Sequence, residues 1–369
     1  MNDKEAREIR RRFKPDKTWI NAVHGCYVNE SKKVISSFRE SVQTMVQDES
    51  ERFLALLKKP ISGTIGRSII NLEFSARQVM ESEEHKLLMA MRACGLENEE
   101  LLAAFYNRVA QTLNIDGGYI ILLVHDTYSV PYRSSDGLAQ HDASDEEFSY
   151  FICSICPVKQ TQPVLSYQLA ENCFNALNNG FAVSAPQLGF MFPAFDNRAA
   201  NIYATLYYTK STADNHPEFT TAVFGIEPPM PAASQKEVFS EILSEALEEE
   251  CRIETVQSVQ EHIGQIMEMH KENHVEEPLA LSKNELGAVL GQCGVSAERV
   301  QAFSDAFDAH FGTDAALPPG NMIDKKQIVI TTPNCTFTPF TSTTSSAGMS
   351  MYFRPSILRS SIMSLRSGS

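Results

Sequence analysis

The sequence predicts an α+β fold: helices flanking a mixed, mainly antiparallel sheet, followed by a helical C-terminal module and a disordered tail. Three features support this prediction. Apolar residues recur at helical spacing between residues 75 and 113, and a continuous apolar run follows at residues 119–124. The middle third is rich in aromatic and β-branched residues, which favour strands. Helical spacing returns after residue 231, which indicates a helical module behind the sheet.

The first 17 residues predict a short helix that ends before Pro15. Basic and acidic side chains alternate in it, which is typical of a solvated helix face. Residues 19–28 then predict a strand, and residues 41–57 predict a helix that Pro60 ends. An anionic docking site is the alternative interpretation of the basic residues at the N-terminus, which are Lys4, Arg7, Arg10, Arg11, Arg12, Lys14 and Lys17.

Two more helices are predicted before the sheet. Ser75 and Gln78 have the spacing of a capping box, so we expect a helix to begin at Ser75 and to run, with a break near Ser82, to Gly95. A second helix is predicted at residues 98–113, because acidic residues near its start match the helix dipole and apolar residues share one face.

The apolar run at residues 119–124 is predicted to be the centre of the sheet, because turn residues bound it. After a polar loop, residues 148–158 are predicted to form a second strand, which makes either a long-looped hairpin or a crossover pair with the first. Further strands are predicted at residues 181–192 and 201–209, joined by a turn around Asn197. The middle third is therefore expected to be mainly sheet.

Prolines at residues 227–231 predict a stiff boundary between two domains, because proline fixes φ and biases the preceding residue to extended conformations. We expect an N-terminal α+β domain at residues 1–231 and a mainly helical domain at residues 232–331. Four helices are predicted in the second domain. The first begins at the capping box of Ser234 with Glu237, and the second spans residues 253–272. The third begins at the capping box of Ser282 with Glu285, and the fourth spans residues 296–311.

Residues 332–369 are predicted to be a disordered tail. Residues 331–369 contain 17 serines and threonines, no acidic residue, and only Arg354, Arg359 and Arg366 as charged residues. Such a composition is typical of disordered segments.

The net charge disfavours some classes of binding partner, and the cysteine content indicates the cellular compartment. With 32 lysines and arginines against 46 acidic residues, the chain of 369 residues has a net charge of −14. Its field repels phosphate backbones and anionic membranes, which disfavours general nucleic-acid binding. The eight cysteines are scattered along the chain, as is typical of reduced thiols in the cytoplasm. The sequence contains no apolar run of 18 residues, so no membrane span is predicted.

Cys153 and Cys156 form the one CxxC motif of the chain. A structural zinc site needs four ligands, and a redox motif of this kind lies at the start of a helix after a strand. Here the pair lies in the predicted strand at residues 148–158 among apolar neighbours, so we interpret both thiols as core cysteines. Redox sensing is the alternative.

A glycine-containing loop at residues 62–68 could hold an anion. Ile61 stands where a phosphate-binding P-loop has its first glycine, so the nucleotide interpretation fails on spacing. Free backbone N–H groups near the side chains of Lys58, Lys59 and Arg67 are the candidate anion-binding groups. A plain connection between a helix and a strand is the alternative.

His125 and Asp126 lie at the end of the predicted central strand, and His141, Asp142 and Asp145 lie in the loop that follows. Imidazole and carboxylate groups at strand ends could bind a divalent cation that activates water. Soluble turn residues are the alternative interpretation.

Asp196 and Arg198 in the predicted turn admit two interpretations. They are either a pair that stabilises the turn or polar groups aimed into a pocket. The pocket would be lined by Phe190, Phe192, Phe195 and Tyr203.

Several short segments occur in the order in which one bacterial family has them. They are GCYVN at 25–29, CSICPVK at 153–159, LGFMFPAFD at 188–196, NIY at 201–203, YYT at 207–209 and MPAA at 230–233. Over about residues 1–330 the chain resembles the family known as domain of unknown function 4317. The resemblance implies no activity, cofactor or catalytic residue. Family members look as if they continue past Thr332 with acidic, strand-like sequence, so we hypothesise that a frame change produced residues 333–369.

From these observations we expect a cytoplasmic binding or regulatory protein whose acidic surface and helical module engage a protein partner. No cofactor and no resident metal ion are predicted. The alternative is a metal-assisted hydrolase that uses His125, Asp126 and Asp142, with Asp196 and Arg198 as further members of the site.

Overall fold

The apolar run at residues 119–124 lies in the middle of an eight-stranded antiparallel sheet. The structure, a computed structural model, describes residues 1–15, 18–131, 146–161, 164–168, 172–177, 180–323, 330–332 and 335–337. The chain divides into two units, Met1–Ala233 with Glu276–Pro278, and Ser234–Val275 with Leu279–Ser369. The α+β class predicted from the sequence is confirmed.

Helices are interspersed among the strands of the first unit and predominate in the second. They are α1 (Asp3–Arg10), α2 (Gln47–Lys58), α3 (Ala76–Glu81), α4 (Glu83–Ala93), α5 (Glu99–Thr112), α6 (Pro217–Phe224), α7 (Ala232–Leu247), α8 (Ile253–Glu272), α9 (Lys283–Gln292) and α10 (Ala297–Phe311). Short 3₁₀ turns lie at Arg11–Phe13, Lys59–Ile61, Glu248–Glu250 and Pro319–Asn321.

Most of the strands belong to the first unit. They are β1 (Ala22–Val28), β2 (Val34–Ser41), β3 (Ile69–Glu73), β4 (Tyr119–Val130), β5 (Glu146–Gln160), β6 (Val164–Gln168), β7 (Cys173–Leu177), β8 (Phe181–Val183), β9 (Leu188–Phe192), β10 (Ala194–Asp196), β11 (Ala199–Asn201), β12 (Ala204–Thr209), β13 (Leu281–Ser282), β14 (Ala316–Leu317), β15 (Ile330–Thr332) and β16 (Cys335–Phe337).

The main sheet has the order β2-β1-β4-β5-β9-β12-β3, and β8 pairs with the far end of β5. Its longest ladder joins β4 to β5 from Tyr119 opposite Pro157 to Val130 opposite Glu146. Successive side chains of each strand point to opposite faces, so the two faces carry separate cores. This alternation decides which functional side chains can meet.

One face of the sheet packs against α3 to α6, and the other packs against α1 and α2. Ile121 and Leu123 of β4 belong to the first core, with Phe105 of α5 and Phe219 of α6. Leu122 and Val124 belong to the second core, whose helical members include Ile9, Leu54 and Leu57. The apolar run at residues 119–124 is continuous because helices cover both faces of β4.

Local capping signals set several helix ends as predicted. Ser75 caps α3 with Gln78 in a complete capping box, and Ser82 both ends α3 and caps α4. Ser282 forms the same reciprocal arrangement with Glu285 at the start of α9. These side chains satisfy N–H groups that a helix cannot satisfy itself.

Two predicted helix starts are wrong. The helix predicted to begin at residue 41 begins only at Gln47, because residues 34–41 form the edge strand β2. This strand pairs along β1, and the Phe38 ring covers Gly25. Helix α7 begins at Ala232, before Ser234, because the N–H of Ala233 donates to the carbonyl of Thr212 over 2.8 Å. Long-range backbone pairing thus overrides local spacing in both places.

Gly189 lets the 3₁₀ turn Lys59–Ile61 approach the middle of the sheet. A Cβ atom at this position would lie 2.4 Å from the carbonyl oxygen of Cys153 and 2.6 Å from Cγ of Pro60. Both distances are far below van der Waals contact, and one partner is backbone. Glycine is therefore required here for close packing of a strand against a turn.

Replacing Gly189 with alanine is expected to lower the free energy of unfolding by about 1–3 kcal/mol, because the added methyl group forces strands apart in a filled core. Gly264→Ala is the matched control, since nothing lies within 4 Å of its Cβ position inside α8. The control is expected to stabilise by about 0.5–1 kcal/mol. Urea denaturation measures both changes, and equal effects would contradict the packing argument.

The second unit is a helical module around its own core. Phe239 of α7 packs against Phe303 of α10, and Ile263 of α8 and Leu290 of α9 complete the centre. The short ladder of β13 with β14 also belongs to this unit. The helices predicted at 253–272 and 296–311 correspond to α8 and α10.

Most of the predicted disordered tail lies outside the described residues, which include only the strands β15 and β16 after Ile323. Every helix in the described part of the chain is too short or too polar to cross a membrane.

Candidate functional site

The end of β4 places its polar residues on both faces of the sheet. Nε2 of His125 lies 2.9 Å from Oγ of Ser149 on the face of α4, whereas Asp126 is bound to Arg12 on the face of α1. The alternation of strand side chains causes this separation. The structure therefore does not bring His125 and Asp126 together, and Asp142, His141 and Asp145 lie outside the described residues.

Asp126 is the most buried carboxylate of this region, with a side chain 2% exposed. Its Oδ2 accepts a hydrogen bond from Nε of Arg12 and its Oδ1 one from Nη2, both over 2.8 Å. The hydroxyl of Tyr150 also donates to Oδ2 over 2.9 Å. This bidentate geometry is the strong form of an arginine–carboxylate pair.

The pair affects the acidity of its neighbours. The pKa of Arg12 is raised, mainly because its guanidinium donates hydrogen bonds to Asp126. Burial raises the pKa of Tyr150 well above its ordinary value, and the nearby charge of Asp126 raises it further. The guanidinium of Arg12 also lies over the ring of Tyr128, 5.1 Å from its centroid. Arg12 thus supplies the positive charge at the position where the sequence suggested a metal ion.

Asp196 and Arg198 contact α1 and its terminus. Nη1 of Arg198 lies 2.6 Å from Oε2 of Glu8, and Oδ1 of Asp196 lies 3.4 Å from the N-terminal nitrogen of Met1. Tyr128 donates to the other oxygen of Glu8 over 2.5 Å. Asn197 and Arg198 adopt φ angles of 50° and 61°, as the predicted turn requires.

The pocket proposed for Asp196 and Arg198 is not formed. Phe190 and Phe192 belong to the core on the α4 face, whereas Phe195 belongs to the opposite core. A single cavity cannot be lined by rings on both sides of the sheet. The two polar residues instead hold the turn between β10 and β11 against α1.

A basic cleft lies along the exposed side of α1. We call it the α1 cleft; its volume is about 440 Å³, and Lys4, Arg7, Glu8, Arg11, Arg12, Tyr128 and Pro131 line it. Four of these seven side chains are basic and one is acidic. In a chain of net charge −14, this concentrates positive charge in one place.

The basic side chains of the α1 cleft differ in how they are neutralised. Arg12 is paired with Asp126, and Nζ of Lys4 lies 2.5 Å from Oε1 of Glu276 at the exposed rim. Arg7 and Arg11 are exposed, and neither forms an ion pair with any residue that the structure describes. The cleft therefore offers two uncompensated guanidinium groups.

A second cleft lies at the other face of β4, beside the C-terminal end of α4. Its volume is about 580 Å³, and His125, Ser149, Arg92, Cys94 and Glu147 are among its lining residues. Burial lowers the pKa of His125 and that of Arg92. The carbonyls at the C-terminal end of α4 oppose the binding of an anion there, so this cleft is less cationic than the α1 cleft.

The glycine-containing loop uses its backbone donors internally. The N–H of Gly66 donates to the carbonyl of Ile69 over 2.7 Å, and the N–H groups of Arg67 and Ser68 both donate to Thr64 over 3.1 Å. The N–H of Thr64 donates to Oγ of Ser68 over 2.9 Å. An anion at this loop would therefore depend on the side chains of the predicted set, Lys58, Lys59 and Arg67.

The CxxC cysteines are buried, as predicted for core residues. Cys153 belongs to the core on the α4 face and Cys156 to the core on the α1 face. Burial raises the pKa of Cys156 to about 12 and that of Cys153 well above its ordinary value. Thiols on opposite faces of one strand cannot share a metal ion or form a disulfide with each other.

Sequence reasoning missed the partners of Asp126. Arg12 and Tyr150 lie 114 and 24 residues away from it, and local spacing contains no signal for such pairs. The sequence does contain a pattern that indicates the position of the α1 cleft. Ile9 and Phe13 are four residues apart and lie on the buried side of the N-terminal segment. Arg7 and Arg11 have the same spacing and therefore share another side.

Taken together, the eight-stranded antiparallel sheet and the α1 cleft define an α+β protein with a cationic surface cleft built on its N-terminal helix. In the described residues, His, Cys, Asp and Glu side chains form no cluster of three or more that could hold a metal ion.

The sequence profile of the family "Domain of unknown function (DUF4317)" matches residues 1–343, and the chain belongs to this family. The match extends past Thr332, so part of the segment attributed to a frame change lies within the matched range. No curated protein and no solved structure matches the chain.

Proposed function

We propose that this chain is a cytoplasmic binding protein that docks an anionic group of a macromolecular partner in the α1 cleft. The observation that carries the proposal is the pair of exposed guanidinium groups, Arg7 and Arg11, which line a cavity of about 440 Å³ and have no acidic partner among the described residues. The free thiols of the described residues support a reducing compartment.

The rigid mounting of α1 supports a binding role. The Arg12 pair with Asp126 and the Arg198 pair with Glu8 fix the two ends of the cleft to β4 and to the turn after β10. Burial of Ile9 and Phe13 fixes the helix to the sheet. Because the cationic groups are held in place before the partner arrives, less conformational entropy is lost on binding.

The alternative function, a metal-assisted hydrolase, receives no support from the geometry of the described residues. His125 and Asp126 face different sides of the sheet, and both oxygens of Asp126 already accept hydrogen bonds from Arg12. Asp196 and Arg198 contact α1 and do not face His125.

Fluorescence anisotropy of a labelled hexaglutamate peptide tests the proposed function. The wild-type chain is expected to bind the peptide at low ionic strength and to lose it as salt increases, because exposed charges are screened. Arg7→Gln combined with Arg11→Gln is expected to weaken binding by at least about fivefold, since two charge-assisted contacts are removed.

The matched control is the double variant Arg52→Gln with Arg77→Gln, which removes two exposed helical arginines that do not line the cleft. It changes the net charge by the same amount and is expected to bind the peptide with wild-type affinity. Binding that is equal in all three proteins, or absent from the wild type, would refute the proposal.

A further inference from the structure

We infer that the anionic group accepted by the α1 cleft is a phosphate monoester in its doubly charged form. This inference rests on the proposed function and adds to it the chemical class of the ligand. It depends on the number, the chemistry and the spacing of the unpaired cations in the cleft, each of which distinguishes a phosphate dianion from a carboxylate.

The charges in the α1 cleft match a ligand with two negative charges. Arg12 is neutralised by Asp126, and Glu8 accepts hydrogen bonds from Arg198 and Tyr128, so these groups balance one another. Lys4 is paired with Glu276 at the rim. Among the described groups of the cleft, Arg7 and Arg11 remain without an ion-pair partner. Two such positive charges are balanced by one phosphate dianion, whereas a carboxylate balances only one of them.

The residue type also favours phosphate. Arginine presents its N–H groups as a planar fork that pairs with two oxygens of one phosphate group. Residues four positions apart on a helix have Cβ atoms about 6 Å apart, so the long side chains of Arg7 and Arg11 can converge on a single group. A phosphate has three terminal oxygens for two such forks, whereas a carboxylate has two.

The volume and the surroundings of the cleft suit a phosphate carried on a larger molecule. A cavity of about 440 Å³ exceeds what one phosphate group fills, and the ring of Tyr128 with Pro131 provides an apolar wall beside the guanidinium groups. The cleft is therefore large enough for part of the group that bears the phosphate.

The pH dependence of binding is expected to come from the ligand. The titratable and charged groups among the described lining residues are Lys4, Arg7, Glu8, Arg11, Arg12 and Tyr128. Arg198 pairs with Glu8, and Glu276 pairs with Lys4. None of the lining residues that the structure describes is a histidine. Arginine keeps its charge at neutral pH, whereas a phosphate monoester gains its second charge near pH 6.

Isothermal titration calorimetry with glycerol 2-phosphate, sulfate and acetate at pH 5.5 and 7.5 tests the inference. If the dianion is the bound form, the affinity for glycerol 2-phosphate is expected to increase about fourfold between these pH values, as its second ionisation near pH 6 predicts. Sulfate is a dianion at both pH values, so its affinity corrects for changes in the charge of the protein. Acetate is expected to bind at least about tenfold more weakly than glycerol 2-phosphate at pH 7.5.

Substitutions identify which arginine side chains bind the anion. Arg7→Gln with Arg11→Gln is expected to reduce the affinity for glycerol 2-phosphate at least about tenfold, and Arg52→Gln with Arg77→Gln is expected to leave it unchanged. Arg67→Gln tests the competing glycine-containing loop, and a loss in that variant alone would place the anion there and overturn the inference.

The outcomes separate the inference from the proposed function. Acetate binding as tight as phosphate, or a phosphate affinity that changes with pH no more than the sulfate affinity, overturns the phosphate class while hexaglutamate binding still supports a docking cleft. Absence of binding for hexaglutamate and for all three anions overturns both.

Discussion

Replacing Arg12 with methionine is expected to lower the free energy of unfolding of the first unit by about 3–5 kcal/mol. The substitution leaves the carboxylate of Asp126, 2% exposed, without its bidentate partner, and a buried unpaired charge is far more costly than a buried ion pair. Tyr150 would be the one remaining donor to Asp126 among the contacts that the structure describes. Urea denaturation followed by near-ultraviolet circular dichroism measures the change, because the described tyrosines all lie within residues 1–233.

Two further variants identify the unpaired charge as the cause. Adding Asp126→Asn to Arg12→Met removes the charge and keeps an oxygen that can accept from Tyr150, so it is expected to recover more than about 1 kcal/mol. Arg77→Met breaks an exposed pair with Glu81, 2.9 Å long, and is expected to cost less than about 0.5 kcal/mol. Equal losses in the single variant Arg12→Met and the double variant would show that the charge is not responsible.

Truncating Phe190 to alanine is expected to cost about 3–5 kcal/mol, because it opens a cavity at the centre of the core on the α4 face. The side chain is fully buried, and its ring packs edge-on against Phe105 and Phe224, with centroid separations of 6.1 and 5.0 Å. Phe151 lies 5.6 Å away on the neighbouring strand. The same denaturation experiment gives the magnitude.

Phe181→Ala is the control for this core substitution, since that side chain is 65% exposed on the short strand β8. It contacts the ring of Tyr27 at a centroid distance of 5.9 Å and is expected to cost less than about 1 kcal/mol. Phe190→Leu keeps more of the volume and should lie between the two. A Phe190→Ala cost below that of Phe181→Ala would contradict the assignment of the core centre.

The sequence predicts those elements whose signals are local. The run at residues 119–124 predicts β4, and the capping boxes of Ser75 and Ser282 predict where α3 and α9 begin. Each signal lies within a few residues of the element that it specifies. Elements determined by distant pairing were not predicted: β2 and β3 depend on β1 and β12 for their hydrogen bonds.

The candidate site was predicted only in part for the same reason. His125 and Asp126 indicate the end of β4, but strand alternation separates these neighbours, and the partners of Asp126 come from the 3₁₀ turn after α1 and from β5. The basic residues of the N-terminal segment predict a solvated helix face, with an anionic docking site as the alternative. The structure supplies the cavity that local charge spacing cannot reveal.

The ladder between β4 and β5 gives the Arg12 pair a second consequence, which concerns folding. A slip of β4 by one residue would turn Asp126 toward the opposite face of the sheet, where His125 lies beside Ser149 and Arg92 in the correct alignment. The misplaced carboxylate would lose its bidentate pair with Arg12 and the hydrogen bond from Tyr150, so the slipped sheet would be less stable than the correct one. The 3₁₀ turn after α1, whose Arg12 lies 114 residues from Asp126 in sequence, thereby favours a single alignment of the central hairpin.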